Sequence, residues 1–188
     1  MLSHYTQEYP DKPNFVHEKM FQCIRDLFYQ EGFETMKAEN SKLRTYAIFK
    51  TEKGRENYLT DIKNIEVRKQ VTKFRLSNHS LKIETGRHDQ IPVEQRLCPF
   101  CQDTTEDELH FLLVCPTYNC MRSTLLTAVT SQAPQFQNFE LIQNFEYIMK
   151  NIDNNSATFI SSCLEAEIIF DYEAQRNDLI KPTCSSVM

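Results

Sequence analysis

At 188 residues, with 40% hydrophobic side chains, thirteen Phe and eight Tyr, the chain can build one ordinary domain or two small ones and is too apolar for a disordered polymer. Only three glycines, and neither a GxGxxG nor a Walker pattern, exclude the usual glycine-rich phosphate loop; no apolar run approaches membrane-spanning length. The net charge of −5 hides an asymmetry, because residues 37–97 carry fourteen Lys/Arg against eight Asp/Glu while residues 1–36 carry three against six and residues 98–188 four against twelve.

The first thirteen residues are polar and aromatic, with two prolines, and read as a loose arm. Asn14 is placed to cap a helix whose apolar positions are Met20, Cys23, Ile24, Leu27 and Phe28, with Gly32 at its end. Leu43, Tyr46, Ile48 and Phe49 lie among basic residues and suggest a short helix or turn, broken by Gly54. From Tyr58 to Leu76 a stronger helical pattern sets Val67, Val71 and Phe74 on one stripe. Arg68 and Arg75 flank that stripe on one side, Lys69 and Lys73 on the other. These cations can reach phosphates, or their stems can cover the edge of a core. Leu81-Lys82-Ile83-Glu84 alternates as a short strand ending at Gly86, half of an expected hairpin, and Arg87 adds another candidate phosphate contact.

The next stretch carries the chemistry. Cys98, Cys101, His110 and Cys115 are spaced C-x2-C-x8-H-x4-C, supplying three thiolates and an imidazole, the donor set of a structural Zn²⁺ site. Pro99 favours the tight turn that aims two sulfurs at one point. Thr105 and Glu108 fit a capping box for a short helix holding His110, with Leu109, Leu112 and Leu113 as its apolar side. A continuing α-helix would turn Cys115 about 140° away from His110; Pro116 is expected to end the helix and let the thiolate fold back. Arg96 is a candidate to offset the negative charge of a three-thiolate zinc. Four protein ligands leave no open position, so the ion is expected to hold the fold. A redox dithiol is the rival reading of the CxxC, without a βαβ pattern around it.

Cys120 is the rival ligand to Cys115. It, Cys23, Cys163 and Cys184 are expected to be reduced, which with the lack of a signal-like N-terminal region points to an intracellular protein, nuclear or cytoplasmic, not attached to membrane. Helices are expected over Tyr118–Val129, then after a linker at 131–137 through Leu141, Ile142, Phe145, Ile148, Met149 and Ile152. A last helix, capped by Asn154-Asn155-Ser156, buries Phe159, Ile160, Cys163 and Leu164 and runs toward Leu179; Pro182 stops it, and residues 183–188 form a mobile tail.

The words Lys42-Leu43-Arg44-Thr45-Tyr46, Leu81 through Arg87, Arg96-Leu97-Cys98-Pro99-Phe100-Cys101, Glu106 through Leu113 and Cys115-Pro116-Thr117-Tyr118 resemble the region that follows the polymerase in non-LTR, LINE-like retrotransposon reverse transcriptases. The resemblance spans roughly residues 40–125. It implies a zinc-stabilised Cys-Cys-His-Cys module that helps hold RNA or DNA. It does not bring the polymerase: no adjacent Asp-Asp pair occurs, and no nucleophile–base spacing surrounds His79 or His88, so no enzyme activity is expected.

The sequence therefore predicts a mainly helical protein with a small central hairpin-and-helix zinc module. It divides as 1–36 (arm and helix), 37–118 (basic segment with the zinc module) and 119–188 (C-terminal helices). Two functions follow: a non-enzymatic module binding RNA or DNA through backbone contacts from Arg68, Lys69, Lys73, Arg75 and Arg87, or a zinc-stabilised helical domain whose acidic C-terminal helices dock a protein partner.

Overall fold

The computed structural model describes residues 13–38, 41–52 and 54–176, and it is mainly helical. The expected N-terminal arm, the tail at 183–188 and the end of the last helix past residue 176 lie outside the described residues. Helix α1 spans Pro13–Lys37, α2 Arg44–Phe49, α3 Tyr58–Asp61, α4 Ile65–Arg75, α5 Lys82–His88, α6 Asn119–Gln132, α7 Leu141–Lys150 and α8 Asn154–Arg176.

Three boundaries differ from the sequence reading, each for a local reason. The first helix begins at Pro13, before Asn14, and runs through Gly32, where a Cβ would meet nothing within 4 Å. Glycine lowers helix stability by about 1 kcal/mol but ends a helix only where a left-handed turn is also supplied. The helix expected over Tyr58–Leu76 is two helices, since Asn64 adopts extended backbone and its side chain accepts from Glu66 N at 3.0 Å and Val67 N at 3.3 Å. The last helix is capped by Asp153, which exchanges hydrogen bonds with Ser156: Ser156 N donates to Asp153 Oδ1 at 2.8 Å and Ser156 Oγ accepts from Asp153 N at 2.9 Å.

The expected strand is also corrected. Residues 82–88 form α5, because Glu106 receives the first amides of a helix there: Lys82 N donates to Glu106 Oε2 at 2.8 Å and Ile83 N to Glu106 O at 3.0 Å. Alternation over four residues is too short to overrule a buried carboxylate at the helix N-terminus. What remains of the hairpin is one antiparallel bridge, Leu97 with Thr105.

One apolar cluster runs from Phe49 and Tyr58 through Val71 and Phe74 to Phe111, Phe145 and Ile160. Helix α4 packs along α8, α6 also meets α8, and α2 bridges α1 and α7. Phe111 is the hub: its ring lies 5.3 Å from Phe74, 5.1 Å from Tyr118 and 6.3 Å from Phe159. The residue after His110 is thus anchored to both α4 and α8, which couples His110 to the core.

Arg75 belongs to this core. It is 1% exposed, donates to the Met149 carbonyl and to Glu56 Oε2 (2.8 Å), and stacks 4.3 Å from the Phe49 ring centroid. Burial lowers its pKa, opposed chiefly by Glu56. Its expected role as a phosphate contact is therefore corrected. A seven-residue step from Arg68 placed it on a flank in projection, and the returning α7 covers that flank.

Candidate metal centre

Cys98 and Cys101 sit on the turn that follows the Leu97–Thr105 bridge, tied by Cys98 N donating to Thr104 O at 2.9 Å and Gln102 N to Cys98 O at 2.9 Å. The turn needs left-handed backbone at Gln102 (φ 56°).

His110 and Cys115 come from the next element. Asp107 caps it: His110 N donates to Asp107 Oδ1 at 2.7 Å and Phe111 N to Asp107 O at 2.9 Å. The expected Thr105–Glu108 capping box is not formed. Thr105 Oγ1 instead donates to Val93 O, and Glu108 is buried elsewhere. Residues His110–Val114 form a π-helical turn in which Cys115 N donates to His110 O at 2.7 Å. Closing the hydrogen bond one residue late widens the turn and brings residue 115 over residue 110. Widening within the helix, more than unwinding at Pro116, recovers the rotation that an α-helix would lose.

The four side chains converge. Their ligand atoms all lie within 4.8 Å of one another, with Cys98 Sγ 3.8 Å from Cys115 Sγ and Cys101 Sγ 3.4 Å from His110 Nε2. Metal–sulfur bonds of ~2.3 Å and a metal–nitrogen bond of ~2.05 Å at tetrahedral angles give edges of about 3.8 and 3.6 Å. These residues can hold a metal ion. Cys98 and Cys115 are 1% and 0% exposed and His110 5%, while Cys101 is half-buried and forms the open side of the cluster. Cys120, the rival ligand, is outside this group, while Cys23 and Cys163 are free thiols.

The surrounding shell sets the chemistry of the ligands. Thr104 Oγ1 is 2.8 Å from His110 Nδ1. An Nδ1–H donating to that hydroxyl leaves the Nε2 lone pair facing the three sulfurs. Without metal, Cys115 is pushed down to about 4, first by the hydrogen bond from Cys98 and then by His110 and Thr117. The Cys98 pKa is correspondingly raised, by that hydrogen bond and by burial.

Arg122, on α6, was not singled out by sequence. It is 4% exposed; Nε donates to Leu112 O at 2.8 Å and Nη2 to Cys115 O at 2.7 Å, with Nη1 on Asn119 Oδ1. Burial lowers its pKa, and the charge of Cys115 works against that loss. Arg122 places a cation behind the thiolates and satisfies carbonyls that the π turn leaves open. The charge-compensating role expected of Arg96 thus has a buried occupant. Arg96 instead donates to Ile91 O and Ile83 O and crosses Gly86, where a Cβ would meet Arg96 Cγ at 2.7 Å. Only its seven-residue distance from Cys115, too long for one turn, kept Arg122 out of the sequence reading.

Next to the Cys/His cluster lies a buried carboxylate network. Glu108 Oε1 accepts from Ser77 Oγ at 2.8 Å and lies 3.1 Å from His79 Nε2; its Oε2 accepts from Arg44 Nη2 at 3.3 Å. Burial raises the Glu108 pKa, but the hydrogen bond and charge of His79, with Arg44, outweigh it and hold the group at about 2. Arg44 also donates to Glu84, which receives Arg87.

The remaining candidate cations divide by position. Lys69 and Lys73 are exposed, Lys69 beside Glu66 at 2.8 Å. Arg68 is half-buried, donating to Ile62 O at 3.0 Å, and Arg87 is half-buried against Glu84. No helix among the described residues is long and apolar enough to cross a membrane. No family model, no curated protein and no solved structure matches the chain.

Proposed function

We propose that this chain is a zinc-braced, non-enzymatic module that binds RNA or DNA through backbone phosphates inside the cell. The observation that carries the metal part is the convergence of three sulfurs and His110 Nε2 within 4.8 Å, with Thr104 already holding the far ring nitrogen. Thiolate-rich tetrahedral sites suit zinc better than harder ions. Four protein ligands would close its coordination sphere, and the ion would brace the π turn against the Cys98–Cys101 turn.

The nucleic-acid part is supported by the basic balance of residues 37–97 and by exposed Lys69 and Lys73, four residues apart and thus on one face of α4. Arg68, on the same helix, and Arg87, on α5, each keep guanidinium hydrogens still to satisfy. The resemblance to the region after the polymerase of non-LTR retrotransposon reverse transcriptases favours the same reading. The acidic flanks oppose it, which predicts a modest affinity.

Metal analysis of protein purified without added zinc is expected to give about one zinc ion per chain. Binding to RNA and to duplex DNA is expected to fall with salt at a log–log slope of roughly −3, for three or four phosphate contacts. Affinity absent at low salt would remove nucleic acid as the partner. A protein partner is the second reading, favoured by Ile168 and Ile169, 53% and 57% exposed beside acidic residues on α8.

A further inference from the structure

Helix α1 carries four large apolar side chains outward. Phe21, Ile24, Leu27 and Phe28 are 58%, 42%, 65% and 70% exposed, and an open groove runs beside Glu18, Phe21, Ile24, Arg25 and Phe28. Among the other elements the helix packs chiefly on α2. A single exposed Leu is ordinary; four in two turns of one helix are not.

We infer that this face is the interface of a homodimer in which two copies of α1 pair antiparallel. The pattern is a heptad. His17, Phe21, Ile24 and Phe28 are separated by four, three and four residues, the alternation of d and a positions in a two-stranded coiled coil. His17 and Phe21 already touch edge-on, with ring centroids 6.1 Å apart, which marks them as one continuous seam.

The flanks determine the direction. On one flank Glu18 and Arg25 are seven residues apart and share the e position; on the other Met20 and Leu27 share g. In an antiparallel pair e faces e and g faces g. With the two-fold axis between Gln22 and Cys23, Phe21 meets the other copy's Ile24, and His17 meets the other copy's Phe28. Glu18 then lies one short step from the other copy's Arg25, and Met20 from the other copy's Leu27, each contact occurring twice. A parallel pair would set g against e, placing Met20 opposite Arg25 and leaving the charges without opposites. The stripe is complementary to itself only when inverted.

The area is adequate. With roughly 200 Å² for each of the four large side chains, their exposed fractions amount to nearly 500 Å² per copy, or about 900 Å² for the pair before Met20, His17 and the flanking stems are added. Specific interfaces begin near ~1,000–1,200 Å² in total. The seam lies on a helix separate from the ligand-bearing turns, so the inference does not rest on the nucleic-acid reading.

Sedimentation equilibrium of the full chain is expected to show a monomer–dimer equilibrium at micromolar concentration. Phe28→Asp is expected to weaken it by about 100-fold or more, since the residue enters the interface twice, with helicity and metal content retained. Glu18→Arg alone, which sets Arg against Arg25, is expected to weaken dimerisation by about tenfold, and the exchanged pair Glu18→Arg with Arg25→Glu to restore it. A chain that stays monomeric at about 100 μM, or a dimer indifferent to Phe28→Asp, overturns the inference. A dimer that the charge exchange fails to rescue overturns the antiparallel pairing. Assembly only with another protein also overturns it.

Discussion

The π turn at His110–Val114 and helix α1 differ in what holds them. The first is five residues long, far below the length at which an isolated helix persists, and nearly every group around it is engaged: Asp107 at its start, Arg122 at its end, Phe111 in the core. The second is 25 residues long with an exposed apolar face. A short element can be rigid when buried groups specify each end, whereas a long one of good helical pattern still leaves its stripe in water until something covers it.

The contrast is tested most severely at the Cys/His cluster. Structural zinc contributes on the order of 10 kcal/mol in small domains at neutral pH. Chelation, or Cys101→Ser, is expected to melt the region over residues 81–118 while α1 helicity survives, which hydrogen exchange resolves segment by segment. Equal protection in both states would remove the metal from the stability of the fold.

Acid separates the regions next. The Glu108 pKa of about 2 is below its ordinary value of 4.5, so its contribution, at most about 3 kcal/mol, is complete above pH 4.5 and is lost as pH falls toward 2. Glu108→Gln is expected to have a lower urea midpoint than the parent at pH 6, with the gap closing between about pH 5 and pH 2. A gap constant across that range would mean that the carboxylate charge is not what holds His79 and Arg44.

Core truncation gives a similar contrast at neutral pH. Leu112→Ala, at a side chain 0% exposed, is expected to cost about 3 kcal/mol. Leu27→Ala, measured at concentrations low enough for monomer, is expected to cost no more than about 0.5 kcal/mol. The smallest effect is reserved for the shell around the ligand: Thr104→Val should weaken zinc affinity about tenfold, as loss of an outer hydrogen bond does at such sites, with little change in circular dichroism. Competition with a chromophoric chelator reads it directly.

The Cys/His cluster was legible because coordination imposes residue types and spacing at once, and few other constraints produce C-x2-C-x8-H-x4-C. The apolar stripes of α4, α6 and α8 were legible for a similar reason: Phe74, Leu125 and Ile160 recur at helical period and are buried. Alternation at Leu81–Glu84 misled, since four residues satisfy either period. Chain order concealed the roles of Arg75, Arg122 and Glu108 as well. Their partners lie 74 residues away at Met149, seven at Cys115 and 31 at Ser77.

Sequence alone thus determined the donor set, the mainly helical character and the positions of the basic segment. Whether a given Arg faces solvent or stacks under Phe49, which carboxylate caps α5, and how residue 115 reaches residue 110 were decided by tertiary packing. The reason is energetic. A local pattern distinguishes apolar from polar faces, but a buried charge is tolerated only where distant groups converge to neutralise it, and that convergence exists only once the chain has closed on itself.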